Sequence, residues 1–135
     1  MTALDTPSCL SRPTAPRTEL VIDGLRAGLG AAVVDDPDIV AAYRRDQSQL
    51  TPCGNPLVLV RARSVDDVIA TMKTAHAQRI PVVTRGAGTG LSGGANALDG
   101  CIVLSTERLN RIVHIDVDAR LVDPGLTDGR PPSAG

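Results

Sequence analysis

Hydrophobic positions recur along this chain with two different spacings, and their alternation predicts its elements. From Glu19 to Leu29 the apolar residues Leu20, Ile22, Leu25 and Leu29 follow helical spacing, with Gly28 or Gly30 placed to end the helix. Ala31 to Val34 reads as a short strand. Asp36-Pro37 is an N-cap and first-turn pair, opening a helix expected to run to about Arg45. Leu57 to Arg61 is a continuous apolar run, as in a strand buried on both faces. Ser64-Val65-Asp66-Asp67 is a capping box. The helix it opens carries Val65, Val68, Ile69, Met72 and Ala75 as one stripe, expected to pack on a sheet. Strands are expected over Ile80 to Thr84, Cys101 to Ser105, Arg111 to Ile115 and near Arg120-Leu121-Val122. The alternation predicts an α/β (α+β) chain, a small sheet with packed helices.

One segment breaks both patterns. After Pro81-Val82-Val83-Thr84, the apolar run stops at Arg85, and Gly86-Ala87-Gly88-Thr89-Gly90-Leu91-Ser92-Gly93-Gly94-Ala95 follows. Glycines allow φ > 0 and let backbone N–H groups approach a ligand closely. Successive N–H groups turned one way form a nest for anions. A phosphate or pyrophosphate is the natural guest, so a nucleotide-type cofactor is expected. Gly90 is taken as a position needing φ > 0, where valine would fill the nest.

Gly88-Thr89-Gly90-Leu91-Ser92-Gly93 also matches the dinucleotide fingerprint G-x-G-x-x-G. That fingerprint needs its loop to open a crossover helix. Gly94-Ala95-Asn96-Ala97-Leu98-Asp99-Gly100 has no helical stripe, and the next strand begins at once. A helical crossover takes at least ~10–12 residues. An NAD-binding Rossmann-like domain is therefore the lesser alternative, although Asp116 ends a later apolar run where a ribose-binding acid could stand.

The segment Val83 to Ala95 resembles the pyrophosphate loop of the FAD-linked oxidases, the vanillyl-alcohol oxidase and p-cresol methylhydroxylase superfamily. Within it the likeness is to the glycolate oxidase D subunit and D-lactate dehydrogenase branch. Pro56-Leu57-Val58-Leu59-Val60 with Ser64-Val65-Asp66-Asp67-Val68, and Ile102-Val103-Leu104-Ser105 through Leu109-Asn110-Arg111-Ile112, resemble the flanking segments. The likeness spans roughly Gly24 to Arg120. It implies the first lobe of an FAD-binding module in a flavin-dependent 2-hydroxy-acid dehydrogenase or oxidase, with hydride passing from substrate to flavin. It places Arg85, Gly86, Ala87, Gly88, Thr89, Gly90, Leu91, Ser92 and Gly93 at the cofactor. The loop backbone from Gly86 to Leu91 would wrap the pyrophosphate, and the Thr89 and Ser92 hydroxyls would assist. Arg85 would anchor the corner and add positive charge. Some relatives attach the flavin through a histidine in this loop. Thr89 stands there instead, so non-covalent FAD is expected.

Composition narrows the reading. The 135 residues make one domain with a net charge of −1, and Tyr43 is the lone aromatic side chain. Nucleic-acid binding is disfavoured on electrostatic and stacking grounds. The shortage of aromatics suggests a thin core or half of a larger one. Members of the family are longer and carry a second FAD-binding lobe, a cap domain and a C-terminal segment. This chain alone is expected to be catalytically incomplete, and no catalytic residue is assigned. The alternatives are a non-enzymatic truncated remnant, or a module needing a complementary oxidase chain.

The expected organisation is a disordered leader over 1–17, a lobe over 18–122 and an irregular, truncated tail over 123–135, where Pro124-Gly125 resembles a family turn. No run approaches the ~18 apolar residues of a membrane helix. Cys9, Cys53 and Cys101 lack metal or redox spacing, so free thiols in a reducing cytoplasm are expected, with Cys101 in the core. His76 and His114 have no companions at metal spacing and are read as structural, and no metal is expected.

Overall fold

The computed structural model describes residues 15–48, 51–112 and 114–123. Of the leader expected over 1–17, residues 1–14 with Cys9 lie outside the described residues, while residues 15–17 are helical; of the tail expected over 123–135, Asp123 ends a strand and the rest, with its Pro124-Gly125 turn, lies outside the described residues. The helix α1 spans Ala15–Leu29, starting four residues before the expected Glu19. Its buried line is Val21, Leu25 and Leu29, spaced by four. Leu20, expected on that face, is 73% exposed. Gly30 at φ 53 ends the helix, as only a residue without Cβ does cheaply. The next residues form a 3₁₀ turn, Gly30–Ala32, so the strand expected over Ala31 to Val34 shrinks to β1, Val33–Val34.

The short helix α2 spans Pro37–Ala42. Asp36 caps it by accepting from the Asp38 and Ile39 amides at 3.0 and 3.2 Å. It ends at Ala42 rather than Arg45. Past that point the Asp46 amide donates to the Asn96 side chain and the Gln47 amide to the Gly90 carbonyl, so neither is left for the bond to residue i−4 that a further turn needs.

Four strands form the main sheet, in order β1-β2-β4-β3, where β2 is Val58–Arg61, β3 Val82–Arg85 and β4 Ile102–Ser105. β1 runs antiparallel to β2, pairing Val33 with Val60. β4 runs parallel to both neighbours, with Ile102 opposite Val58 and Val82. Val58, Leu59 and Val60 are fully buried, as expected for a strand covered on both faces. Val58 and Val60 join Leu25, Leu29, Ile102 and Leu104 in one cluster. Leu59 joins Val40, Val83, Ala97, Cys101 and Val103 in the other. Cys101 is a core residue, and burial pushes its thiol pKa up. Burying such side chains contributes about 1.5–3 kcal/mol each.

The helix α3 spans Val65–Gln78. The Ser64 hydroxyl accepts from the Asp67 amide at 3.2 Å. The Asp67 carboxylate reaches back to the Arg63 amide at 2.8 Å and its guanidinium at 3.1 Å. Arg79 closes the helix in the left-handed region at φ 53. The stripe differs from expectation. Asp67, Thr71 and Ala75 are buried, while Ile69 and Met72 stand 44% and 47% exposed. The helix is rotated because its small residues Ala70 and Ala75 join the cluster shared by α1 and the sheet. Thr71 fits the dry interface by donating its hydroxyl to the Asp67 carbonyl at 2.7 Å.

Two further strands, β5 at His114–Asp116 and β6 at Leu121–Asp123, form a separate antiparallel hairpin. The strand expected from Arg111 to Ile115 therefore begins later, and Arg111 and Ile112 are exposed. Among the described residues no helix is long and apolar enough to cross a membrane.

Candidate cofactor site

β3 and β4 are parallel neighbours, yet their connection over residues 86–101 holds no helix. The glycine run itself makes the crossover. That arrangement removes the helix N-terminus on which a Rossmann pyrophosphate rests, so the fingerprint at Gly88 to Gly93 belongs to a different kind of loop.

Arg85, the last residue of β3, is 7% exposed. Its Nη1 donates to the Tyr43 carbonyl at 2.9 Å and the Arg45 carbonyl at 3.2 Å. Its Nε and Nη2 turn to the Gly86 and Ala87 carbonyls at 3.4 and 3.5 Å. The guanidinium also lies 5.0 Å from the Tyr43 ring centroid. Tyr43 receives a second guanidinium, Arg61, at 5.1 Å. Arg85 thus stands beneath the loop with its donors engaged by carbonyls, and its charge remains in the corner.

These contacts fix which way the loop faces. In a trans peptide the carbonyl and the following N–H point to opposite sides, and no described peptide is cis. With the Gly86 and Ala87 carbonyls turned toward Arg85, the Ala87 and Gly88 amides turn away from it. The Gly90 carbonyl accepts from the Gln47 amide at 2.9 Å, so the Leu91 amide also faces out. Among the described residues, no amide from Gly86 to Ser92 donates to a protein acceptor, and most of this stretch is exposed. Unpaired outward N–H groups on a run free of acidic residues can receive an anion. The Thr89 and Ser92 side chains are exposed on the same stretch.

The glycines divide by what requires them. Gly88 and Gly93 sit at φ 74 and 79. A Cβ on Gly88 would strike the Arg85 guanidinium, and one on Gly93 would come within 2.5 Å of the Thr51 side chain. Gly90 does not have the positive φ expected of it; its Cβ would instead stand 3.3 Å from an Asp46 carboxylate oxygen. Gly86 has open space where its Cβ would be, so no protein neighbour demands glycine there.

A second wall, unanticipated from the sequence, holds the loop from behind. The buried Asn96 accepts from the Asp46 amide at 2.9 Å and donates to the Ser48 hydroxyl, the Thr51 carbonyl and the Pro52 carbonyl at 3.3, 3.1 and 3.4 Å. The Ala97 amide donates to the Arg44 carbonyl at 2.8 Å, and the Gly54 amide to the Ala97 carbonyl at 2.6 Å. Asp46 caps its own turn by accepting from the Ser48 amide at 2.8 Å. That amide is the main cause holding the Asp46 carboxyl below the usual 3.8; burial opposes it, and the Ser48 hydroxyl and the Ala95 and Gly93 amides reinforce it. The Asp-x-Ser pattern signals an Asx turn. Nothing local in it announces a partner some fifty residues away.

Other candidates stay apart. His76 and His114 are exposed, and among the described residues no group of His, Cys, Asp and Glu could hold a metal. Cys53 and Cys101 are free. Cys53 lies near the Arg45 and Arg44 guanidinium groups at 3.3 and 3.8 Å.

The likeness to known proteins follows the same loop. A family profile described as an FAD binding domain matches residues 56–128, more than half of the chain. The chain is 33% identical over 112 residues to a probable mitochondrial D-lactate dehydrogenase of Danio rerio, covering 81% of this chain and 22% of that protein. It is 42% identical over 73 residues to the glycolate oxidase subunit GlcD of Escherichia coli K12, covering 53% of this chain and 15% of that protein. The crystal structure of p-cresol methylhydroxylase with substrate bound matches with a TM-score of 0.69 at 25% identity, over 84% of this chain and 23% of that one. The chain spans about a fifth of the length of these relatives.

Proposed function

This chain belongs to the FAD-binding domain family of the p-cresol methylhydroxylase-type flavin oxidoreductases, and we propose on that footing that it is the first cofactor lobe of a 2-hydroxy-acid dehydrogenase or oxidase of the glycolate or D-lactate kind. The observation that carries the reading is the unpaired set of amides from Gly86 to Ser92, of which those of Ala87, Gly88 and Leu91 face outward. The loop fits the FAD pyrophosphate. It carries no acid, its amides lack protein acceptors, and Gly86 keeps space that no protein neighbour fills. Ala87, Gly88 and Leu91 would donate to phosphate oxygens, and the Thr89 and Ser92 hydroxyls would add to them. Hydrogen bonds donated by backbone amides to a charged group are worth about 1.5–3 kcal/mol each, so a few of them make a tight site. Arg85 works from beneath, orienting the Ala87 and Gly88 amides and contributing charge. Thr89 stands where some relatives carry the histidine that attaches the flavin, so on this reading the cofactor is held non-covalently. Bound flavin supplies two-electron redox chemistry; this chain's own residues bind and orient it.

The substrate-binding groups of the glycolate and D-lactate enzymes belong, on this reading, to the remainder of such a protein or to a complementary chain. The exposed Ile112, Ile115, Val117, Leu121 and Val122 support a chain that needs a partner to complete it. The free thiols Cys53 and Cys101 suit a cytoplasmic setting.

Titration of the purified chain with FAD, followed through the flavin absorbance bands with NAD as control, tests the proposal. Saturable FAD binding without NAD binding is expected. NAD binding without FAD binding by a folded chain would overturn it. Turnover of glycolate or D-lactate with an artificial acceptor is expected to be absent until a complementary lobe is supplied.

A further inference from the structure

A buried carboxylate lies directly behind the loop assigned to an anion, and nothing in a phosphate site asks for one. Asp46 is 7% exposed. One of its oxygens accepts from the Ser48 amide at 2.8 Å. The other accepts from the Ala95 amide at 3.5 Å, and the Gly93 amide also lowers its pKa. The same oxygen is the atom a Cβ on Gly90 would meet at 3.3 Å. The chain therefore turns the Ala95 amide, at the distal end of its glycine run, inward onto its own negative charge. It leaves the amides of Gly86 to Ser92 free. The neighbouring Gln47 amide holds the Gly90 carbonyl to the same wall, and Asn96 locks the Asp46 backbone in place.

We infer that Asp46 is a positioning residue for the cofactor loop. Its carboxylate is an internal anion that occupies the Gly93–Ala95 end of the nest and leaves only the Gly86–Ser92 end for the cofactor phosphates. The inference rests on the FAD reading for its functional consequence, not for its geometry. An unoccupied nest of this length would be free to close on itself or to accept an anion in the wrong register. A fixed charge behind it removes that freedom before the ligand arrives, which is how preorganisation raises affinity. The role lies outside the residues matched by the family profile, which begins at Pro56.

The test uses the full chain, with amide hydrogen exchange read by NMR and FAD affinity read by flavin absorbance. In the wild type without FAD, the Ala95 amide is expected to be protected and those from Gly86 to Ser92 to exchange freely. Asp46→Asn keeps the shape and removes the charge. It is expected to expose Ala95 to exchange and to weaken FAD binding about tenfold or more, with the far-UV circular dichroism unchanged. A folded Asp46→Asn chain that keeps that protection, or binds FAD as the wild type does, would overturn the inference.

If that variant does not fold, the wild type decides alone. As the Asp46 carboxyl ¹³C signal titrates, the Ser48, Gly93 and Ala95 amide signals are expected to move with it. Gly90, Ser48, Asn96, Gly93 and Ala95 face the carboxylate without titrating in this range. The charged neighbours are Arg45, next in the chain, and Arg85, whose guanidinium ends on the Arg45 carbonyl. Amide signals that stay fixed through the Asp46 titration would sink the idea. A wild type that takes up no FAD overturns the proposed function separately; the exchange pattern of Asp46→Asn still decides the role of the carboxylate in the loop.

Discussion

The strand β4 and the hairpin β5–β6 are built from the same kinds of residue and meet opposite fates. Ile102, Val103 and Leu104 are 0%, 0% and 1% exposed, while Ile115, Leu121 and Val122 are 56%, 65% and 56% exposed. β4 has a parallel neighbour on each edge and an apolar cluster on each face. The hairpin has two strands and no covering layer among the described residues. A two-stranded ribbon is marginal in water by itself. The contrast shows that apolar β-branched sequence specifies a strand, whereas neighbours specify its burial. One end of the molecule carries its own core, and the other presents apolar surface.

The largest test of that contrast is at the centre of the sheet. Leu104→Ala removes a side chain packed among α1, α3 and β2, and is expected to lower unfolding free energy by about 2–5 kcal/mol. Urea denaturation would measure it; a loss below about 1 kcal/mol would mean that the sheet core is not the stabilising unit.

Next comes the loop that joins β3 to β4. Gly88→Val forces a β-branched residue to φ 74 against the Arg85 guanidinium, costing about 1–3 kcal/mol of strain. It is expected to abolish FAD binding while the far-UV circular dichroism stays near the wild-type spectrum. Gly90→Val, at a position without positive φ, is expected to leave the backbone less strained and to act through Asp46. Wild-type FAD affinity in the Gly88→Val chain would break the assignment of the loop.

Acid separates the two regions in a third way. Burial raises the Asp67 carboxyl pKa, but the Arg63 side chain and amide, with the Ser64 amide, bring the net shift below 3.8. Asp46 is depressed as well, chiefly by the Ser48 amide. A carboxyl depressed in the folded state stabilises the fold above its unfolded value. That contribution falls away as pH drops from about 3.8 through the lower folded value. Thermal melts are expected to fall over this range, and Asp67→Asn should flatten part of the fall. A melting temperature unchanged from pH 5 to pH 2 would contradict it.

The smallest effect is expected at the hairpin. Val122→Thr replaces a methyl on an exposed strand and should change stability by no more than about 0.5 kcal/mol. Its value lies in sharpening the contrast with Leu104. A large loss there would show that the hairpin is covered in solution, and sedimentation velocity of the same variant would reveal whether a second copy covers it.

Much of this architecture was legible along the chain. The caps at Asp36 and Ser64, the doubly buried run Val58–Val60 and the absence of a crossover helix after Arg85 all rest on local chemistry. Legibility failed where a helix had to choose a face. Leu20 and Ile69 satisfy helical spacing as well as Val21 and Thr71 do, but only the packing of α1 and α3 with the sheet selects between them. It failed again at the site, where the glycine run was evident and its second wall was not.

The sequence by itself determined most of the elements, their order and the presence of a glycine loop between two parallel strands, because capping, periodicity and the absence of Cβ act within a few residues. Tertiary structure alone decided that Arg85 and Asp46 stand behind that loop, that Asn96 ties it to Ser48 and Thr51, and that Gly88 and Gly93 carry the positive φ angles. Those outcomes depend on contacts between segments some forty to fifty residues apart, whose geometry exists only once the sheet has brought them together.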